Sequence, residues 1–316
     1  MPSASFTPEG PYRLASSIRF LEGFTPASYE QVADGVLRLA FPADDGHSVI
    51  GCAISQKEAG DTPSAAVSAR FTVHRDGRTV PAAAGTPAHA AARSQIARIL
   101  SLDVDGTGFP ALGETDPVVA GLQADHPGLR PVCFHSPYEA AVWAVIGNRL
   151  RVSQAAAVKA RLARDYGQAV DVAGQRLHAF PTPEALRRLD RVDGLTGTKV
   201  ERLHAIAEAA LDGRLDAAAL RAQPAEFALT DLRELPGIGP FSAELVLIRG
   251  AGHPDVFPAA EPRIHRAMAV EYRLDADTAA DPARLARIAD AWRPYRSWVG
   301  SLLRVRAHER ATSGPV

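Results

Sequence analysis

The chain is poor in cysteine and lysine, has no long apolar run and carries almost no net charge. Each shortage removes a class of function. Cys52 and Cys133 are the only cysteines in 316 residues, too few for a disulfide framework or a thiolate-bound metal cluster. No metal or other cofactor is expected. No stretch reaches the ~18 uninterrupted apolar residues of a membrane span. The opening MPSASFTPEGPYRL has no basic segment followed by an apolar one, so no secretory leader is expected. A cytoplasmic chain with no membrane partner follows. A net charge of −1 gives no global attraction to nucleic acid. Lys57, Lys159 and Lys199 are the only lysines; the many arginines accompany abundant Ala, Gly and Pro, reflect coding composition and are not evidence for phosphate binding. Any nucleic-acid function must rest on local charge and motifs.

What is present is the balance of a globular protein, 46% hydrophobic and 22% charged, and long enough for two or three domains. Up to about residue 80 the pattern is strand-like: 36–41, 48–55 and 69–73 alternate or run apolar. The Asp-Gly turns ADDGH and HRDGR separate them. From Ala88 onward the periodicity predicts helices almost to the end, over 88–101, 116–124, 137–148, 153–166, 183–190, 198–211, 225–234, 241–249, 262–272, 282–291 and 296–308. Ser136-Pro137, Ser153 and Thr182-Pro183 supply helix-start signals. No internal repeat appears. The fold class is α+β, a small mixed domain followed by a helical body.

Two helical stretches are locally basic: Arg149, Arg151, Lys159, Arg161 and Arg164, and then Arg284, Arg287, Arg293, Arg296, Arg304, Arg306 and Arg310, with Asp290 and Glu309 against the second. Such runs are ordinarily solvated helix faces. They gain meaning only beside a phosphate-binding element, and LPGIGPFSAELVL (235–247) is a candidate for one. Gly237 and Gly239 permit positive φ and close backbone approach. Pro240 suits the first position of a helix. Small or apolar flanking residues leave the backbone N–H groups open to an anion.

Downstream, GHPDVFPAAEPRIHR carries one carboxylate, Glu261, at a helix start ahead of Pro262. The hairpin, the spacer, the apolar DVF and the acid resemble the helix–hairpin–helix DNA glycosylase superfamily. In detail they are most similar to the 3-methyladenine DNA glycosylase II family. PYRLASSIRFLEGF, SPYEAAVWAVIGNRLRVSQAAAVKARLARDYG, FPTPEALRRL and WRPYRSWVGSLL extend the resemblance over roughly residues 10–308, with Gly147-Asn148 in place of a Gly-Gln pair. It implies an N-terminal TBP-like α+β domain (1–112) and an all-helical helix–hairpin–helix glycosylase body of two subdomains (113–316) with the cleft between them. It also implies a monomer acting on double-stranded DNA with damaged bases, associated with the nucleoid.

By that resemblance Gly237, Ile238, Gly239, Phe241 and Ser242 contact DNA through the hairpin. Asn148, Arg149 and Leu150 do so where an apolar wedge normally enters the stack. Phe20, Phe241, Leu245 and Arg304 line the base pocket, the last two replacing aromatics and Phe241 standing for a Trp. Lost aromatic walls weaken cation–π recognition of a cationic base, so 3-methyladenine is not assumed as the substrate.

The family's essential acid is an Asp; here it is Glu261. One carboxylate can suffice, because an alkylated purine is already a good leaving group and the acid need only stabilise an oxocarbenium-like sugar and position water. The extra methylene shifts that carboxylate by about 1 Å, a displacement that can cost roughly 100-fold. As a plain first-turn acid, Glu261 would serve only the helix dipole. Superfamily members with lyase activity carry a Lys where Phe241 stands, and no lysine lies downstream, so monofunctional hydrolysis is implied. The four-cysteine iron–sulfur loop of the superfamily is absent. His253, His265, Cys133 and Asp255 read as structural. The alternatives are a non-catalytic or degenerate lesion-binding protein and a helical protein–protein module.

Overall fold

The computed structural model describes residues 1–23, 34–57 and 65–313; Phe24, the last residue of the family-like opening string, lies outside them. β1 (Ser3–Phe6), β2 (Leu37–Pro42), β3 (Val49–Gln56), β4 (Val67–Arg75) and β5 (Arg78–Val80) form one sheet. Its order is β1-β4-β3-β2, with β5 also beside β4, and every pairing is antiparallel. Turn chemistry sets the register. Asp76 and Gly77 adopt φ of 50° and 73°, the two-residue geometry that matches strand twist, and place Arg75 opposite Arg78. Before β3, Asp45 accepts from the amides of His47 and Ser48 at 2.9 and 2.7 Å. The three predicted strands are present to within two residues. β1 was not predicted, because four residues are too few to show a period.

One face of the sheet is closed by α1 (Leu14–Gly23) and α2 (Pro87–Ile99) through Leu14, Ile18, Ala92, Ile96 and Ile99. The other is covered by a hairpin, β6 (Ala169–Val172) and β7 (Gln175–His178), lying inside the region expected to be helical. Ala173 and Gly174 make its turn with φ of 46° and 82°. Val170 and Val172 pack on Val49 and Ala53. Gly51 of β3 provides the room, since a Cβ there would lie 2.7 Å from Val170 Cγ1. Strands this short draw their stability from the sheet beneath them, which local periodicity does not register.

The rest is helical: α3 (Leu112–Thr115), α4 (Pro117–Asp125), α5 (Pro137–Gly147), α6 (Val152–Tyr166), α7 (Pro183–Leu186), α8 (Gly197–Leu211), α9 (Ala217–Ala222), α10 (Ala225–Arg233), α11 (Pro240–Leu245), α12 (Pro262–Glu271), α13 (Ala276–Ala280), α14 (Pro282–Ala289) and α15 (Arg296–Ser313). All the predicted helices are found; α1, α3, α9 and α13 are additional. α11 runs on into a π-type turn, Val246–Gly250. Ser136 and Thr182 cap α5 and α7 by accepting from Glu139 and Ala185 amides at 3.1 and 3.2 Å. Ser153 is not a cap. It lies inside α6, whose N-cap is Arg151, with its N–H donating to Gln154 Oε1 at 3.2 Å. Among the described residues no helix is long and apolar enough to cross a membrane.

The helices build two apolar cores. α5, α6, α8, α10 and α11 surround one; α4, α12, α14 and α15 surround the other, around Phe109, Trp292 and Trp298. The DVF string straddles the seam: Val256 is buried in the first core and Phe257 in the second. Asp255 before them pairs with Arg296 at 2.6 Å and Arg293 at 3.2 Å. The Val256 amide donates to Ser297 Oγ at 3.0 Å. The chain therefore reaches Glu261 from a fixed anchor.

Candidate nucleic-acid interface and active site

Between α10 and α11, Gly237 has φ +89°. A Cβ there would lie 2.8 Å from Arg202 Cδ of α8, so conformation and space both demand glycine. Gly239 does not use the positive φ that the sequence allowed it. Its φ of −93° and ψ of −175° suit any residue, and nothing lies within 4 Å of its missing Cβ. What Gly239 provides is a bare helix front. No side chain caps α11, Pro240 has no N–H, and the first-turn amides of Phe241 and Ser242 lack an intrahelical acceptor. Buried Ile238 anchors the turn, its N–H donating to Leu235 O at 3.0 Å. Such a front seats an anion. Phe241 is 44% exposed, so its ring lies at a surface rather than in a closed pocket.

A second loop follows α5. Arg149 is exposed with φ +57°, and Leu150 turns back so that its amide meets Gly147 O at 3.1 Å. The Leu150 side chain packs against the first helical core, which leaves Asn148 and Arg149 as the exposed tip. Lys199 of α8 holds this loop, donating to Ile146 O at 2.8 Å and Asn148 O at 2.7 Å. A cation on the last carbonyls of a helix is favourable there. Burial and the charge of Arg202 lower the Lys199 pKa. Lys199 and Arg202 lie three residues apart on α8, so one helix face supports both the hairpin and the loop.

Glu261 is the N-cap of α12. Its Oε1 accepts the Arg263 amide at 3.0 Å, so here Glu does the capping that Asp does more often. Its Oε2 has no hydrogen-bond partner among the described residues. Across the seam stands Glu244 of α11, a residue that sequence reasoning missed. It is buried, its oxygens accept from the Ala260 amide at 3.1 and 2.9 Å, and it titrates far from normal. Burial raises it, the Ala260 and Ala259 amides and Arg233 oppose, and Glu261 raises it further, to about 7. The available signal was one charged residue inside the apolar run 243–248.

The expected pocket residues are spread around the same region. Arg249 touches one of them: its guanidinium lies 5.2 Å from the Phe20 ring centroid, and 5.8 Å from that of Phe134, a residue not among those expected, and Nε donates to Val132 O at 3.0 Å. Burial, with the charge of Arg304, pushes Arg249 down to about 10. Arg304 is half-buried; burial and Arg263 lower its pKa while Glu261 raises it. Leu245 packs on the first core. His265, one turn beyond Glu261, stacks on Phe257 with 14° between the rings, and burial lowers its pKa.

Much of the charge of the two basic stretches is neutralised within the fold. Half-buried Lys159 pairs with buried Glu139 at 2.6 Å, and Arg164 pairs with Asp165. In the C-terminal run, Arg296 and Arg293 meet Asp255, Arg306 meets Asp125 and Glu271, Arg310 meets Glu271 and Arg284 meets Asp281. Most of the neutralising carboxylates are distant in sequence, so a window along the chain overstates the charge.

No protein-family model matches the chain. Over 182 residues it is 32% identical to DNA-3-methyladenine glycosylase 2 of Escherichia coli, covering 56% of this chain and 60% of that one. Over 220 residues it is 30% identical to the probable bifunctional transcriptional activator/DNA repair enzyme AlkA of Mycobacterium tuberculosis, covering 66% of this chain and 41% of that one. The chain thus matches less than two thirds of either relative's length. Among solved structures, 3-methyladenine DNA glycosylase from Archaeoglobus fulgidus superposes with a TM-score of 0.71 at 20% identity, covering 96% of this chain and 97% of that one. MBOgg1 in complex with a low-affinity DNA ligand gives 0.67 at 17% identity, covering 99% and 97%. At such identities the structural likeness is one of fold. Sequence and fold agree: the chain is similar to the helix–hairpin–helix DNA glycosylase superfamily and, within it, to 3-methyladenine DNA glycosylase II.

Proposed function

We propose that this protein is a monofunctional DNA glycosylase that hydrolyses the N-glycosidic bond of alkylated purines in duplex DNA, as a monomer and in base-excision repair. The observation that carries the reading is one juxtaposition. A bare helix front suited to a backbone phosphate and a carboxylate at the next long helix start are joined across a seam between two cores, through Glu244 and the Ala260 amide. In this reading residues 1–112 are the TBP-like domain and 113–316 the glycosylase body, with the seam as the cleft. Gly237, Ile238 and Gly239 seat a phosphate, Asn148 and Arg149 enter the duplex, and the target nucleotide leaves the stack for a pocket near Phe20 and Arg304. A cationic base departs without a general acid. Glu261 stabilises the sugar cation and orients water, through the oxygen not used in capping. The test is incubation with methylated genomic DNA and mass spectrometry of the freed bases; release of 3- or 7-methylated purines is the expected result, and none would refute the reading.

One observation favours a second reading, a lesion-binding protein without catalysis: Glu261 already has a structural task in accepting the Arg263 amide. Base release separates the two.

Two expectations follow from the site. Gly239→Asp should weaken duplex binding about tenfold or more, with or without a lesion, because it sets a negative charge on the anion seat. The fold should hold, since the position is open and Asp is a favoured cap. Equal affinity across a salt titration would remove the hairpin from the interface. The second expectation concerns the product. DNA should carry intact abasic sites, cleaved only by alkali or heat, since Phe241 offers no amine. A borohydride-trapped protein–DNA adduct would contradict hydrolysis.

A further inference from the structure

Glu244 is buried in α11, yet its carboxylate spans the seam to the amide of the residue just before Glu261. The turn it reaches is tight: the Ala259 amide donates to Phe257 O at 2.9 Å and the Glu261 amide to Pro258 O at 3.2 Å. The Ala260 amide of this turn donates across to Glu244, and the neighbouring Ala259 amide also favours its charged form. A neutral amide side chain would accept the same hydrogen bond at a lower desolvation cost, so the clamp alone does not explain a carboxylate.

Resting on the glycosylase reading, we propose that Glu244 is the positioning residue for Glu261. It holds the acid at its working reach through the Ala260 amide, and it loosens that hold when protonated. A charged carboxylate makes a shorter and stronger bond to an N–H than a neutral carboxyl does. Burial and the nearby Glu261 charge raise the pKa of Glu244 to about 7, so the change falls near neutral pH. The charged groups around it are few. α10 contributes Arg233, and the start of α12 contributes Glu261 itself. Around Glu261 stand His265 and Arg304. Arg249, in the π-type turn after α11, is bonded to Val132. In α5, Glu139 is held by His135 and Lys159.

The test compares the full chain with Glu244→Gln and Glu244→Ala. It reads single-turnover base release from methylated duplex DNA between pH 5.5 and 8.5 (assay settings chosen to bracket about 7). Wild-type release should rise through about pH 7. Glu244→Gln keeps an acceptor but lacks the charge, so the neutral step should disappear and release should stay near the acid-side level of wild type across the whole range. Glu244→Ala should lose about 100-fold in the chemical step with lesion affinity little changed. The amide proton shift of Ala260, followed by NMR, should titrate with the same midpoint in wild type and not in Glu244→Gln. A neutral step that survives in Glu244→Gln, or an Ala260 amide indifferent to pH in wild type, overturns the proposal. If wild type releases no base at all, the glycosylase reading falls, while the Ala260 titration still decides the clamp.

Discussion

Glu261→Gln should lower base release by about 100- to 1,000-fold while lesion binding and thermal stability remain close to wild type. Gln keeps the length and the oxygen that accepts the Arg263 amide, so the start of α12 is preserved. What disappears is the negative charge opposite a developing sugar cation. A role in capping alone predicts the opposite pattern, with no change in release for Gln and a loss of roughly 1 kcal/mol in stability for Glu261→Ala. Glu261→Asp retains a cap and a charge but draws the carboxylate back by about 1 Å. Because Glu244 fixes the backbone just before it and Arg304 lies within reach of the longer acid's field, release should fall with Asp too, by up to about 100-fold. A gain in activity with Asp would mean that the pocket is built for the shorter acid. Release unaffected by Gln would end the proposed mechanism.

The largest expected effect on stability lies away from the site, at Glu139. This carboxylate is 1% exposed, with His135 Nδ1 at 2.7 Å and Lys159 Nζ at 2.6 Å; Lys159 also lies 5.7 Å from the Phe180 ring centroid. Burial alone would raise its pKa, but the charges of His135 and Lys159, with their hydrogen bonds, hold it well below the usual carboxylate range. Removing buried Glu139 leaves its two half-buried cationic partners uncompensated. Glu139→Ala should therefore cost about 3–5 kcal/mol, a fall in Tm on the order of 10 °C. Glu139→Leu with Lys159→Met removes the carboxylate and the lysine, leaves only part-exposed His135, and should recover much of that loss. The sign with pH follows from the depressed pKa. The contribution is complete above the ordinary carboxylate range, about pH 4–5, and is lost as pH falls below it and through the folded value. The gap between wild type and Glu139→Ala should thus be wide at pH 7 and narrow at strongly acid pH. A Glu139→Ala variant that melts with wild type at pH 7 would show that the network adds nothing.

The sequence by itself determined what depends on neighbours along the chain. The Asp-Gly turns, the caps at Ser136 and Thr182, the long helical periods and the glycine at 237 each follow from φ preferences, donor–acceptor reach or burial every three to four residues. All of these act over a few residues. The tertiary structure decided what depends on residues brought together from far away. The β6–β7 hairpin is stable because Val170 and Val172 find the face of a sheet more than a hundred residues earlier. The basic C-terminal run loses its apparent excess of charge to Asp125, Asp255 and Glu271. Glu244 reads along the chain as one polar residue in an apolar helix. Only the meeting of two cores sets it against the Ala260 amide and Glu261, where low solvation and a like charge change its chemistry.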